Sequence, residues 1–459
     1  MMKHLILLFS VAIGFAQTPE PLGYGEFLGY VKKYHPMVRQ ANLEITAAEA
    51  ALMAARGGFD PKIEVDYESK EFKGTEYYSL LNSSFKIPTW YGVEFKAGFD
   101  NAEGMYVNPE HVTPNSGLTS FGVTVPIGQG LFINQRMADV KAAKAMVQLG
   151  QAERNLRAAA AIYEASKAYF HWKRCYDEAE LYKTYLDVAQ TRFVGIRKLI
   201  EAGDKPAIDS VEAGIIVKNR KLSFNESQLK LTKARLELSN FLWIEQVPVV
   251  LADNVVPEAS IETSVVDALG LASSLTATPS VENHPKITAL QSKQDVLDIE
   301  RRLKANMLLP RIDASYNYLS EPSYIDNYRF EDYKVGLNVS FPLFLRKERG
   351  GLKLAKAKLE DNRLELAQQR LELRNKITAQ QAEIALVAGQ KETVADLVKD
   401  YTRMLESEER LFSVGESSVF LINSRENSLV SARLSQIDMD NRYLMSYAEL
   451  YKTLGAPGL

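Results

Sequence analysis

The sequence predicts an exported protein that combines membrane-spanning β-strands with long, coiled-coil-like helices, arranged as two tandem repeats. Three observations carry this expectation. The chain is written twice: residues His35 to Tyr67 align without a gap on His284 to Tyr316 at an offset of 249, and Lys141 to Leu242 align on Lys353 to Leu454 at an offset of 212. Each copy alternates apolar and polar residues over strand-length segments and then runs into a far longer helical stretch. The N-terminus reads as an export signal, yet no run of 18 or more apolar residues comes after it. Any membrane crossing therefore falls to a closed β-barrel, in which every backbone group finds a partner.

Composition sets the outer bounds. At 459 residues the chain exceeds the usual single-core size, while 46% hydrophobic and 25% charged residues are ordinary for an ordered protein. A formal charge of -3 gives neither a nucleic-acid footprint nor an acidic solvating tail. Lys3 precedes an apolar run from Leu5 to Phe15, and Gly14-Phe15-Ala16 supplies small residues before Gln17, so residues 1–16 read as a signal peptide. The run is shorter than the ~20 residues of a spanning helix, which disfavours an uncleaved anchor. The residue directly after the cleavage point is Gln17 and not a cysteine that could carry a lipid, and Cys175, the single cysteine, reads as a small packed residue.

The first repeat, residues 17–243, opens with a helix over Pro36 to Arg56 that stops at Gly57-Gly58. From Pro61, Ile63, Val65 and Tyr67 alternate with Glu64, Asp66 and Glu68, and a return strand from Ser120 to Ile127 repeats the alternation. In the second repeat, residues 284–459, strands over Pro310 to Tyr318 and Tyr333 to Phe341 do the same. Strands of this length cross a bilayer when tilted; a soluble sheet with one wet face is the competing reading. Tyr67, Tyr316, Tyr318 and Tyr333 near strand ends favour an interfacial aromatic girdle, and with it the barrel. Val125-Pro126 and Phe341-Pro342 lie 216 apart, so the first repeat carries 33 additional residues between its strands. They form an extra hairpin over 82–100 that turns at Pro88-Thr89-Trp90. The chain thus offers four strands, or six if that hairpin also spans.

After each strand pair comes a long helix, about Arg136 to Ala202 and Leu352 to Val414. Leu352, Leu359, Leu366 and Leu373 recur every seven residues, with Leu364 and Leu371 as a second seam, which calls for coiled-coil packing in preference to a plain amphipathic helix. Sixty-odd helical residues measure roughly 90 Å. Each helix ends at a glycine suited to a left-handed cap, Gly203 or Gly415. A polar turn comes next, in which Asp204 or Ser417 is positioned to cap the returning helix, with Pro206 in the first turn. Residues 244–283, marked by Pro248, Pro257 and Pro279, form a connector beside the helices.

With these elements in order, the chain resembles the outer-membrane efflux protein (TolC-like) family over nearly its whole mature length. The resemblance implies a homotrimer in which three chains build one outer-membrane β-barrel among lipid, continued by a periplasmic α-barrel. It implies a passive exit duct of a tripartite efflux or type I secretion system. Such a duct docks through its helical tips to a periplasmic adaptor and, through it, to an inner-membrane pump of RND, ABC or MFS type. Carried over by position, the docking tips are Lys198, Gly203 and Asp209, with Arg410 and Gly415 in the second repeat. The aperture positions are Asp209, Glu212, Leu421 and Ser424. Here the acidic residues stand in the first repeat, whereas family members place them after the second glycine. A carboxylate ring is therefore replaced by an apolar constriction at Leu421, unless Leu421 simply packs between helices.

Catalysis, cofactor or metal binding would need convergent polar groups, and the five histidines do not converge. His35 and His284 each precede a proline at a helix start and read as turn residues, while His111 and His171 stand alone. No metal-spaced cluster, nucleophile elbow or phosphate loop is present. Arg346-Lys347-Glu348-Arg349 comes after a strand end and reads as a headgroup-facing rim, so no nucleic-acid partner is expected. The alternative to a duct is a non-transport envelope coiled-coil scaffold or adhesin.

Overall fold

The computed structural model describes residues 20–455 except 274, 276–279 and 327–328. The signal segment 1–16 and Pro279 of the connector lie outside the described residues. Strand β1 (Glu20–Leu22) leads into helices α1 (Tyr24–Tyr34) and α2 (Pro36–Arg56). Four strands come next: β2 (Lys62–Phe72), β3 (Thr75–Pro88), β4 (Glu94–Glu103) and β5 (Leu118–Pro126). Helices α3 (Gln135–Glu201) and α4 (Ile208–Ser239) succeed them, then the short strands β6 (Trp243–Ile244), β7 (Val247–Pro248) and β8 (Val255–Pro257) and helix α5 (Glu262–Ala268). The second repeat supplies α6 (Pro285–Asn306), β9 (Arg311–Ser320), β10 (Tyr333–Ser340), α7 (Arg346–Ser413) and α8 (Val419–Thr453). The compact units cut across the repeats. One, the sheet unit, comprises Ala41–Asn155 and Ser280–Leu373; the other, the hairpin unit, gathers residues up to Gln40, Leu156–Pro279 and Arg374 onwards.

In the sheet unit six strands form one antiparallel sheet in the order β10-β9-β5-β4-β3-β2. The expected pairing of the Pro61 strand with the Ser120 strand is wrong: β2 pairs with β3, and β3 and β4 stand between β2 and β5. The reason lies in the repeat itself. β9 and β10 are direct neighbours in the sheet, and their counterparts in the first repeat have been parted by an inserted hairpin that continues the sheet. Lys73 and Gly74, both at positive φ (54° and 71°), make the two-residue β2–β3 turn whose twist matches the flanking strands. The β3–β4 turn falls where the sequence places it, closed by Thr89, whose amide and hydroxyl both donate to the Val93 carbonyl (2.9 and 2.7 Å).

Register carries the period-two pattern across all six strands. Tyr333 lies opposite Tyr318, Tyr318 opposite Phe121, Phe121 opposite Ala97, Ala97 opposite Phe85, and Phe85 opposite Ile63. One face is therefore apolar from edge to edge, and its Ile63, Val65, Phe95, Phe121, Leu337 and Val339 stay exposed in the isolated chain. Tyr316 and Tyr333 stack on that face at 6.2 Å. At one end of the sheet, Trp90 stacks on Phe59 (5.4 Å) and packs against Ile133, Met137 and Leu303. Asn134 joins strand turn to helix start: its amide donates to the Trp90 carbonyl and its oxygen accepts from the Met137 amide, both at 2.8 Å. Along α7 in this unit, Ala355, Leu359, Asn362, Leu366 and Leu373 are buried while Leu352 is half-buried, so three of the four leucines of the first seam pack as their spacing demands. Leu364 and Leu371, the expected second seam, are exposed.

The hairpin unit is built on small residues. Ala158, Ala159, Ala161, Ala165 and Ala168 of α3 are buried and let neighbouring helices approach closely, while Tyr169, Phe170 and Trp172 fill the space beside them. Helix α1 buries Tyr24, Phe27, Leu28 and Val31 in the same core: Tyr24 stacks on Phe170 (5.2 Å) and its hydroxyl lies 2.7 Å from Ser166 Oγ. Cys175 is buried close by, and desolvation pushes its thiol up to about 11, consistent with a packing role. In the described part of the connector β8 runs parallel to β1, β6 pairs with β7, and Val265 of α5 and Leu269 just after it are buried. His35 Nδ1 accepts from the Met37 amide (3.3 Å), and burial lowers its pKa. In the sheet unit, His284 Nδ1 accepts from the Lys286 amide (3.0 Å), so both duplicated histidines cap a helix start.

Candidate functional site

The two hairpin tips lie in the hairpin unit and stop their helices in the same way. The Gly203 amide donates to the Ile200 carbonyl (3.0 Å) and the Asp204 amide to that of Leu199 (2.9 Å); Gly415 pairs with Phe412 (3.1 Å) and Glu416 with Leu411 (2.9 Å). These are the two bonds of a Schellman cap, and they require a left-handed residue, here glycine at φ 85° and 87°. Space around both glycines is open, so backbone conformation alone demands them. The returning helices begin differently. Ser418, rather than Ser417, caps α8 by accepting from the Leu421 amide (3.3 Å), while Ser417 donates to Glu408 (2.5 Å). Helix α4 starts after Ala207 with no side-chain cap; Pro206 precedes it rather than entering its first turn, and Asp204 is spent in the Schellman turn.

Side chains bind one tip to the other. Val419 is buried with Ile196 and Ala213, flanked by Phe193, Ile200 and Phe412, and Lys205 Nζ sits 4.9 Å above the Phe412 ring. Deeper along the hairpins, the Glu426 carboxylate, 1% exposed, lies between two guanidinium groups: Arg192 of α3 at 2.6 Å and Arg220 of α4 at 3.2 Å. Arg192 also reaches Glu409 (3.4 Å), and Arg220 reaches Asn427 (2.7 Å) and covers Tyr185, whose hydroxyl pKa burial raises. This triad ties both helices of the first hairpin to α8. Its signal in the sequence is faint but present, a glutamate at helical spacing from Ile422, Leu429 and Val430 on a stripe that is otherwise apolar.

The expected docking residues separate into two groups. Lys198, Gly203, Arg410 and Gly415 are exposed, with Arg410 Nε donating to the Glu406 carbonyl (3.2 Å). Asp209 is half-buried in the first turn of α4. Among the aperture positions, Glu212 accepts from Asn423 Nδ2 (3.3 Å), Ser424 is exposed, and Leu421 is 40% exposed. Glu212 and Ser424 share a groove of about 910 Å³ with Ile215, Phe420, Asn423 and Ser428, whose lining mixes hydroxyls with apolar side chains. No group of His, Cys, Asp and Glu among the described residues is arranged to hold a metal ion.

The family model described as outer membrane efflux protein matches residues 30–242 and 279–456. The chain belongs to the outer membrane efflux protein family. It is accordingly a TolC-like outer-membrane channel protein, extending into the periplasm, and its family is one of channels rather than enzymes. Solved structures with the same fold include a membrane protein from Pseudomonas aeruginosa (TM-score 0.67, 14% identity, 99% of this chain and 97% of that one). The Campylobacter jejuni CmeC outer membrane channel aligns at TM-score 0.64 and 12% identity, covering 94% of this chain and 85% of that one. The open-state Neisseria gonorrhoeae MtrE outer membrane channel aligns at 0.64 and 13%, covering 97% and 93%. No curated protein sequence matches this efflux protein. At such identities the solved structures speak for the fold, and the family for the broad role of efflux.

Proposed function

We propose that three copies of this efflux protein close into a single passive duct, with the sheets forming one outer-membrane barrel and the helical hairpins a periplasmic tube. The observation that supports this most strongly is the pair of open sheet edges, β2 and β10. In a six-stranded antiparallel sheet the edge strands run in opposite directions, so β10 of one copy meets β2 of the next antiparallel. That contact is head-to-tail and repeats by rotation until the ring closes. In lipid each unpaired edge group costs several kcal/mol, which drives closure. Six strands from each of three copies, the inserted hairpin included, make eighteen, enough for a water-filled lumen.

The two repeats, 17–243 and 284–459 joined by 244–283, then give a quasi-sixfold ring of hairpins. Their tips dock a periplasmic adaptor that links the duct to an inner-membrane pump of RND, ABC or MFS type. Exposed Lys198 and Arg410, set beside the rigid Gly203 and Gly415 turns, are the contacts we assign to the adaptor. Asp209, Glu212, Leu421 and Ser424 narrow the periplasmic aperture. Reconstitution of the detergent-extracted protein in planar bilayers tests the reading: discrete conductance steps are expected, and an inert protein would instead point to an envelope scaffold or adhesin.

A further inference from the structure

The polar face of the sheet carries an arrangement of charge that the duct reading leaves unexplained. Lys62 lies opposite Lys86, Lys86 opposite Lys96, Lys96 opposite Gly122, Gly122 opposite Asn317, and Asn317 opposite Lys334. One continuous line of register therefore crosses the whole sheet from edge to edge with four lysines and no acid in it. Directly opposed side chains on one face stand about 5 Å apart at Cβ, and like charges so placed destabilise a sheet.

Compensation inside the chain is partial. The neighbouring row on one side holds Glu64, which pairs with Lys86; the row on the other side holds Glu94, which Arg136 engages at 3.4 Å. Lys62, Lys96 and Lys334 are exposed and form no ion pair among the described residues. Gly122 keeps the middle of the row low: a Cβ there would come within 2.0 Å of Asn317 Oδ1. Three ammonium groups per chain without an ion-pair partner among the described residues thus stand on the face opposite the lipid-suited one, in one line of register, with Glu64 of the next row acting on Lys62 and Lys96 only at longer range.

We infer that Lys62, Lys86, Lys96 and Lys334 form an anion-selecting belt that climbs the lumen wall with the tilt of the strands, so that the duct favours negatively charged solutes along it. Rings of Lys and Arg side chains select anions in pores because their fixed positive charge raises the local concentration of anions over cations. The inference rests on the duct reading, which turns the polar face inward. In water, one unscreened charge about 7 Å from an ion's path changes its local occupancy by roughly 2.7-fold, and salt reduces the effect.

The test is the chloride-to-potassium permeability ratio of the full-length protein in planar bilayers under a tenfold KCl gradient, with inorganic pyrophosphate as a blocking anion. The K62Q/K96Q/K334Q variant is expected to lower the ratio at least threefold and to lose pyrophosphate block, while the matching lysine-to-arginine variant retains both. All variants are compared after confirming the same oligomer mass as wild type. Conductance with an unchanged ratio and unchanged block in the glutamine variant overturns the belt and leaves the duct standing. A wild-type protein without conductance overturns the duct reading itself, and the belt with it. Should the glutamine variant fail to assemble, the single substitutions K96Q and K334Q carry the measurement, each with a proportionately smaller fall in the ratio.

Discussion

The first and second tips share a backbone and differ in chemistry. Gly203 and Gly415 end their helices through the same pair of hydrogen bonds at almost the same φ, so duplication has preserved the turn atom for atom. The returning helices have diverged: an uncapped start with Asp209 and Glu212 in one hairpin, a Ser418 cap with Leu421 and Ser424 in the other. The second hairpin also provides the buried Glu426 that both Arg192 and Arg220 of the first require. A repeat of this kind conserves the path of the chain while its side chains specialise, one hairpin supplying cations and the other the carboxylate that holds them.

The comparison breaks most severely at Glu426. Glu426→Ala leaves two partly buried guanidinium groups unpaired and is expected to cost about 3 kcal/mol, the lower end for a broken buried ion pair. Thermal unfolding checks the cost, and faster proteolysis near Gly203 and Gly415 checks that the hairpins part. Glu426→Gln, which keeps hydrogen-bonding capacity, should cost less. If the triad were ornamental, alanine would unfold at the wild-type temperature.

Gly203→Ala and Gly415→Ala sharpen the comparison from the other side. Both place a Cβ at positive φ with open space around it, so each should cost about 1–2 kcal/mol from backbone strain alone. Equal losses in chemical denaturation are the expected outcome. A large difference between them would mean that one tip depends on contacts rather than conformation. The smallest effect is expected at the helix starts: Ser418→Ala should cost about 1 kcal/mol by removing the cap of α8. Pro206→Ala, at the equivalent place in the first tip, removes no cap and should be nearly neutral.

Much of this architecture could be read from residue order. The offsets of 249 and 212 marked the repeats, alternation from Ile63 and from Tyr333 marked strands, and Gly203 and Gly415 marked the tips. The strand order could not be read in the same way. Alternation reports which face a residue occupies and is silent on which strand lies beside it, so β2 was matched to β5 although β3 and β4 intervene. Heptad spacing likewise identified Leu359 and Leu366 correctly as buried but did not distinguish the exposed Leu364 and Leu371, since periodicity cannot say which face has a neighbour within the chain. At the site, the glycine turns were legible because their conformation is local. The Glu426 triad left only a faint signal, a lone glutamate on an apolar stripe, because its arginine partners lie more than two hundred positions away and meet it through tertiary packing.

The central claim is that open edges β2 and β10 belong together in a ring of three copies. Native mass spectrometry of the detergent-extracted protein tests this most directly. A mass of three chains, falling to one when Val65 and Val335 on the edge strands are both replaced by proline, is the result expected. A wild-type protein that stays monomeric in detergents that preserve other outer-membrane barrels would contradict it.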